Sequence, residues 1–380
     1  MKKIEFYRHN ITNKEIKEVR KVLKSIFLTT GPKTKKFEQE LADYLKVKHS
    51  IGVYSCTSGL FLLLKALGIK EGDEVITTPF SFVATSNSIL YCGAKPVFVD
   101  VDKRNGNIEI SKIEEKITDK TKAILPVHLY GVMVDVKKVK EIADRYNLRF
   151  IEDSAHCIEG EIDGIKAGQI SDGAAFSFYA TKNITSGEGG AIATNNDELA
   201  EKIKIMRLHG MNKNAADRYT KKFSQYDVPV LGYKFNMFDI QAALLLNQLK
   251  LIDKRWNMKK QNYDYYSTLL SDIEEITIPY VPDNVKHSLH LYTILVAPEI
   301  RDEVIYKLQQ NKIGVAVNYK PIHLMSYYQK TFGYKEGDFP NAEFIGKSTI
   351  SLPFYAKLKK KEIKYVVNTL KNIIHELKKS

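Results

Sequence analysis

Short apolar, β-branched runs recur through the first two-thirds of the chain: HSIGVY, EVITT, PVFVDVD, KAILPVHLY, RFIED, AAFSF and GAIATN. Strands of this kind, apolar on both faces and alternating with helical patterns, call for a largely parallel sheet covered by helices on both sides. The intervening helices include residues 59–67, 136–146 and 197–208, each with apolar residues at three- and four-residue steps. From Met237 the pattern turns to one long helix through DIQAALLLNQLKLIDKRWNMKKQNYDYYSTLL, which no Gly or Pro interrupts. Beyond it SLHLYTILVA, IGVAVNYKP and ISLPF read as strands, alternating with the helices RDEVIYKLQQNK and KKKEIKYVVNTLKNIIHELKK. The expected division is a large α/β domain over residues 1–250 and a small C-terminal α+β domain over 251–380. The pattern of the large domain begins near residue 12, so the segment before it is free to pack on the small domain.

Composition excludes several classes. With 380 residues, 44% of them hydrophobic, the chain has ample material for two cores, and no apolar run approaches the roughly 18 residues of a membrane span. The N-terminus has basic residues without an apolar stretch behind them, so the expected compartment is the cytoplasm. Three cysteines, Cys56, Cys92 and Cys157, at wide spacing and without a CxxC pair, argue against a disulfide framework and against zinc. A net charge of +13 suits a nucleic acid, an anionic surface or a phosphorylated substrate, but Lys, Ile, Asn and Tyr are abundant together, as in a solvated surface shaped by compositional bias. The basic closing helix, with Ile363, Val366, Val367, Leu370 and Ile374 on one stripe, is expected against the small domain's sheet rather than on a membrane. The polar loop over residues 210–226 is long enough to be functional.

The most informative stretch is SFYATKNITSGEGGAIAT, where Lys182 stands between a strand and a glycine-rich turn. Burial lowers an amine's pKa and makes it nucleophilic, as a Schiff base with a carbonyl requires. Alone, Lys182 also reads as a surface lysine. In IEDSAHCIEG, Asp153 ends a strand, where open α/β sheets build ligand sites; it could cap a helix, bind metal or partner a pyridinium nitrogen. No acidic cluster joins it and His156, so no metal is expected. In VYSCTSGLFLLLKALGI, Ser55, Thr57, Ser58 and Gly59 open a helix after a strand, where free N–H groups favour phosphate or hydroxyls simply cap. Neither GxxxxGK[ST] nor GxGxxG is present, which disfavours an ATPase or a dinucleotide enzyme. TTPFSFVATSNSI brings Phe80 and Phe82 to the same sheet edge. A lysine, a lone acid and a hydroxyl-rich helix start together match the aldehyde, ring nitrogen and phosphate of pyridoxal phosphate.

The ordered set SCTSG, TTPFSFVAT, GAKPVFVDVD, HLYG, EDSAH, SFYATKNITSGEGG, RLHGM and GYKFNMFDIQAALLLNQL resembles, over almost the whole chain, the DegT/StrS-type sugar aminotransferases. The resemblance implies the fold of type I pyridoxal-phosphate transferases, with a mostly parallel seven-stranded sheet in the large domain. It makes Lys182 the lysine that joins the cofactor and shuttles the substrate proton, and Asp153 the acid that keeps the pyridine nitrogen protonated. It makes Thr57, Ser58 and Ser177 phosphate binders, and places Phe82 on the ring face with His156 beside the ring hydroxyl. Asn236 would reach the phosphate of the other subunit, so that a homodimer shares its sites. SCTSG departs from the commoner SGTAA form, which leaves open which hydroxyl touches phosphate.

No arginine follows Arg301, whereas amino-acid transaminases of this fold hold the substrate carboxylate with a small-domain arginine. Arg207 or Arg218 would then serve a glutamate donor, and the long loop with Lys213, Lys221, Lys222 and Arg218 suits an acceptor bearing a pyrophosphate. The expected reaction transfers the amine of L-glutamate to C4 of a UDP-linked 4-keto-6-deoxy sugar for surface glycans. The alternatives are C3 amination of a dTDP-linked sugar, a pyridoxal-phosphate enzyme acting on free amino acids, and a non-enzymatic regulator.

Overall fold

The structure, a computed structural model, describes residues 3–212 and 225–378. Two helices lead in. Helix α1 (Asn13–Leu23) starts at Thr12, whose side chain forms a reciprocal cap with Glu15; α2 (Pro32–Leu45) starts with proline in its first turn. The sheet elements follow: β1 (His49–Val53), α3 (Cys56–Ala66), β2 (Glu74–Thr77), α4 (Ala84–Tyr91), β3 (Lys95–Phe98), β4 (Thr121–Ile124), α5 (Val136–Arg145) and β5 (Arg149–Asp153). After them come the short β6 (Glu161–Ile162), then β7 (Gly173–Ser177), β8 (Gly190–Thr194) and α6 (Asp197–Met206). Asp135 and Asn196 cap α5 and α6 by accepting from the amides of Lys138 and Leu199.

Seven strands form one sheet in the order β1-β8-β7-β5-β4-β2-β3. Pairs among β3, β2, β4, β5 and β7 are parallel, and β8 runs antiparallel to both β7 and β1. The C-terminal ends of β1, β2, β4, β5 and β7 therefore share one edge with the start of β8. Period-two alternation sorts the strand residues to two cores. Phe150 and Phe176 face α2 and α5, with Phe37, Leu41, Val136 and Val139; their neighbours Ile151 and Ala175 face α3 and α6, with Leu60, Leu63, Leu199 and Ile203. Helix α3 is buried on nearly every side, which explains its run of Leu60 to Leu64.

The expected single long helix is two helices, α7 (Asp239–Lys250) and α8 (Ile252–Leu270), with a break at Leu251. No breaker residue causes it; packing does. Leu245, Leu249 and Ile252 lie in the first core, while Tyr266 and Leu270 lie in a third core belonging to the C-terminal part. That part contains β9 (Val285–Lys286), β10 (Tyr292–Leu295), α9 (Arg301–Gln310), α10 (Ser326–Phe332), α11 (Pro340–Ser348), β11 (Thr349–Leu352) and α12 (Lys360–Leu377). Strands β10 and β11 pair antiparallel, and the apolar stripe of α12 is buried in the third core. IGVAVNYKP is not a continuous strand: it makes only isolated bridges, Ile313 with Ile4 and Ala316 with Ser351. Ile4 belongs to the third core, so the N-terminal segment packs on the C-terminal part. No described helix is long and apolar enough to cross a membrane.

Candidate active site

Five strand ends converge on one cleft. Asp153, the last residue of β5, is 4% exposed, and both its oxygens are held. Thr85 donates its hydroxyl to Oδ2 at 2.7 Å and the Ala155 amide donates to Oδ1 at 3.1 Å, with the Cys56 thiol at 4.0 Å from Oδ1. Burial raises the pKa of Asp153 and these two donors oppose the rise. A buried carboxylate so placed is completed by a cation, which a protonated ring nitrogen supplies.

Lys182 follows β7 on a turn closed by its own amide donating to Tyr179 O at 2.9 Å. Its side chain is partly buried near Cys56 and Asp153, and burial lowers its amine from the ordinary 10.5 to about 8, against the pull of those two groups. From the N-terminal segment Tyr7 donates to the Lys182 carbonyl at 3.1 Å. Behind the turn, the Asn183 side chain donates to Glu159 and to Ser288 O and accepts from Lys259. The segment carrying the amine is thereby tied to both halves of the chain.

At the start of α3 the three expected phosphate binders divide. Ser55 caps the helix, and the Ser58 hydroxyl is spent on that cap, donating to Ser55 O at 2.7 Å. Thr57, partly buried, has no hydrogen-bond partner for its hydroxyl among the described residues; Ser177 only accepts, from the Tyr179 amide at 3.3 Å. Thr57 and Ser177 thus keep hydroxyl protons beside a helix start whose first N–H groups lack intrahelical acceptors. Gly190 lets β8 pass this point, since a Cβ there would stand 2.4 Å from the Ser55 carbonyl carbon.

Asn236 bridges Val53 at the end of β1 and is 2% exposed. Its amide faces the Thr29 and Thr30 hydroxyls at 3.0 and 2.8 Å, while the other end of the amide is buried without a partner. Nδ2 donates to both threonine hydroxyls and, at 3.5 Å, to Met237 O, so the partnerless end is the amide oxygen.

Phe82 is 57% exposed, an aromatic face open to the cleft, 6.1 Å between ring centres from Tyr319. His156 departs from its expected role, because both ring nitrogens already have protein partners. Nδ1 accepts from the Tyr130 amide at 3.1 Å, and Nε2 lies 3.0 Å from the Tyr319 hydroxyl. His290 stacks on it at 4.4 Å, and burial drives both histidines well below their usual pKa. Tyr319 and His290 were not legible as site residues: they lie in the C-terminal part, without the glycine and hydroxyl signature of the other motifs.

Arg207 is corrected. It is 8% exposed, and its Nη1 donates to Glu38 of α2 and to Gly52 O of β1 at 2.6 Å, which ties the side chain into the fold. Arg218, Lys213, Lys221 and Lys222 lie outside the described residues.

Comparison with known proteins agrees with this geometry. The profile of the DegT/DnrJ/EryC1/StrS aminotransferase family matches residues 9–371. The spore coat polysaccharide biosynthesis protein SpsC of Bacillus subtilis is 43% identical, over 96% of this chain and 95% of its own. A UDP-4-amino-4,6-dideoxy-N-acetyl-beta-L-altrosamine transaminase of Campylobacter jejuni is 36% identical over 99% of each chain. Among solved structures, Spr1654 of Streptococcus pneumoniae in a PLP form superposes with a TM-score of 0.92 at 30% identity, covering 98% of this chain and 99% of that one.

Proposed function

The chain belongs to the DegT/DnrJ/EryC1/StrS aminotransferase family and is a pyridoxal-phosphate-dependent aminotransferase, and we propose that it carries the amine of L-glutamate to C4 of a UDP-linked 4-keto-6-deoxy sugar for a surface glycan. The observation that carries the sugar reading is the fate of the arginines. Arg301 is the last in the chain, and its guanidinium is held by Asp302 at 2.6 Å and by Gly346 O at 3.2 Å. Beyond α8 the chain has no other arginine that could hold an amino acid's carboxylate by a bidentate fork. The name of the Campylobacter relative, a UDP-linked 4-amino sugar transaminase, supports the nucleotide and the carbon.

When bound, the cofactor supplies an electron sink for the carbon that exchanges its proton. The chain's residues do the rest. Lys182, neutral above about pH 8, takes and returns the proton at the substrate carbon. Asp153, oriented by Thr85 and Ala155, holds the proton on the ring nitrogen. Thr57, Ser177 and the start of α3 hold the phosphate, and Phe82 covers the ring. Asn236 completes the phosphate site of a second copy, so the working unit is a homodimer.

The test divides the reaction. Enzyme converted to its amino form with glutamate, then freed of 2-oxoglutarate, is mixed with the UDP-linked keto-sugar while the visible absorbance is followed. Return of the yellow colour with the sugar is expected; return only with 2-oxo acids would sink the proposal.

A further inference from the structure

The polarity of two hydrogen bonds assigns a role to Tyr319. A backbone N–H can only donate, so the Tyr130 amide makes Nδ1 of His156 the bare nitrogen and puts the ring's single proton on Nε2. Nε2 is 3.0 Å from the Tyr319 hydroxyl, so the histidine donates and the tyrosine accepts. Tyr319's own proton is left without an acceptor among the described residues. The space available to it is the cleft, bounded by Phe82, whose ring centre is 6.1 Å away, and by Asp153, whose charge reaches the phenol.

We propose that Tyr319 donates this proton to the ring oxygen of bound pyridoxal phosphate, with His156 acting behind it as the residue that fixes the direction of the bond. In that cofactor the ring hydroxyl is adjacent to the aldehyde carbon that meets Lys182, while Asp153 takes the ring nitrogen and Phe82 the face. The remaining polar edge of the ring requires a donor, and His156 has neither nitrogen free to be one. A donor at that oxygen stabilises its anion and makes it a weaker base. The linkage between Lys182 and the cofactor shares a proton with the same oxygen, so Tyr319 keeps the pKa of that linkage low. The proposal rests on the cofactor and not on the sugar: failure of every keto-sugar as acceptor would leave it intact.

The experiment compares wild type with Tyr319→Phe in two readouts that need no substrate. In the first, the visible absorbance of the resting holoenzyme is titrated with pH. Tyr319→Phe is expected to raise the midpoint by about one unit, a tenfold gain in proton affinity; an unchanged midpoint overturns the proposal. In the second, cofactor-free protein is titrated with pyridoxal phosphate and with its 3-deoxy analogue, which lacks the ring hydroxyl. The variant should lose about tenfold in affinity for the first and nothing for the second. An equal loss for both would mean that Tyr319 only supports the fold. A higher KM for the keto-sugar with both readouts unchanged would assign the hydroxyl to the substrate and equally overturn the proposal.

Discussion

Thr85 and Asp153, 68 positions apart, meet through a 2.7 Å hydrogen bond that joins the first turn of α4 to the end of β5. With the Ala155 amide on the other oxygen, the carboxylate cannot rotate away from the cleft. Asp153→Asn keeps the shape and part of the cofactor affinity but cannot retain the ring-nitrogen proton. Its turnover is expected to fall on the order of a hundredfold or more, with cofactor content measured alongside. Near-normal turnover would remove Asp153 from its role.

Lys182→Ala should abolish turnover and the borohydride-reducible yellow chromophore together. The wild-type amine gives a signed pH dependence. An amine attacks only when neutral, and burial lowers this one to about 8, so its reactivity is present above that pH and lost below it. In cofactor-free protein, modification of Lys182 by an acylating reagent, followed by peptide mass, should reach half its plateau near pH 8. A half-maximum near 10.5 would mean that the cleft does not desolvate the amine.

Arg207 is predicted to serve the fold. Arg207→Ala leaves Glu38 without its cation and the Gly52 carbonyl without a donor, at a cost of about 3 kcal/mol. Denaturant unfolding should show that loss, while KM for glutamate stays near the wild-type value. A raised KM with unchanged stability would restore Arg207 as a donor-binding residue.

Sharing of sites is tested by mixing two inactive proteins. Lys182→Ala carries an intact Asn236, and Asn236→Ala carries an intact Lys182. Exchange of subunits should recover activity in one of the two centres of each mixed dimer. No recovery after verified exchange would show that each chain builds its site alone.

The legible parts of this chain are those whose chemistry is local. Asp153 announces itself as an acid ending an apolar run, and Lys182 as a lysine before a glycine-rich turn; the first ends a strand of the one sheet that these runs dictate and the second lies on the turn that follows another. What stayed hidden depends on partners distant in sequence. Arg207 looked free because Glu38 stands 169 positions away. His156 looked available because Tyr319, 163 positions on, is the residue that occupies it. The break at Leu251 has no Gly or Pro behind it; it follows from α7 and α8 serving different cores. Ser58 read as a phosphate ligand because capping and phosphate binding ask for the same hydroxyl at the same helix start.

Amination of a nucleotide-linked sugar is tested most directly by following nitrogen-labelled L-glutamate into a panel of UDP-, dTDP- and GDP-linked keto-sugars and free 2-oxo acids. Label is expected in the sugar, at C4 of a UDP-linked 4-keto-6-deoxy acceptor, with 2-oxoglutarate released in equal amount. Label entering a free 2-oxo acid efficiently, and none of the sugars, would contradict the account and make the protein an amino-acid transaminase.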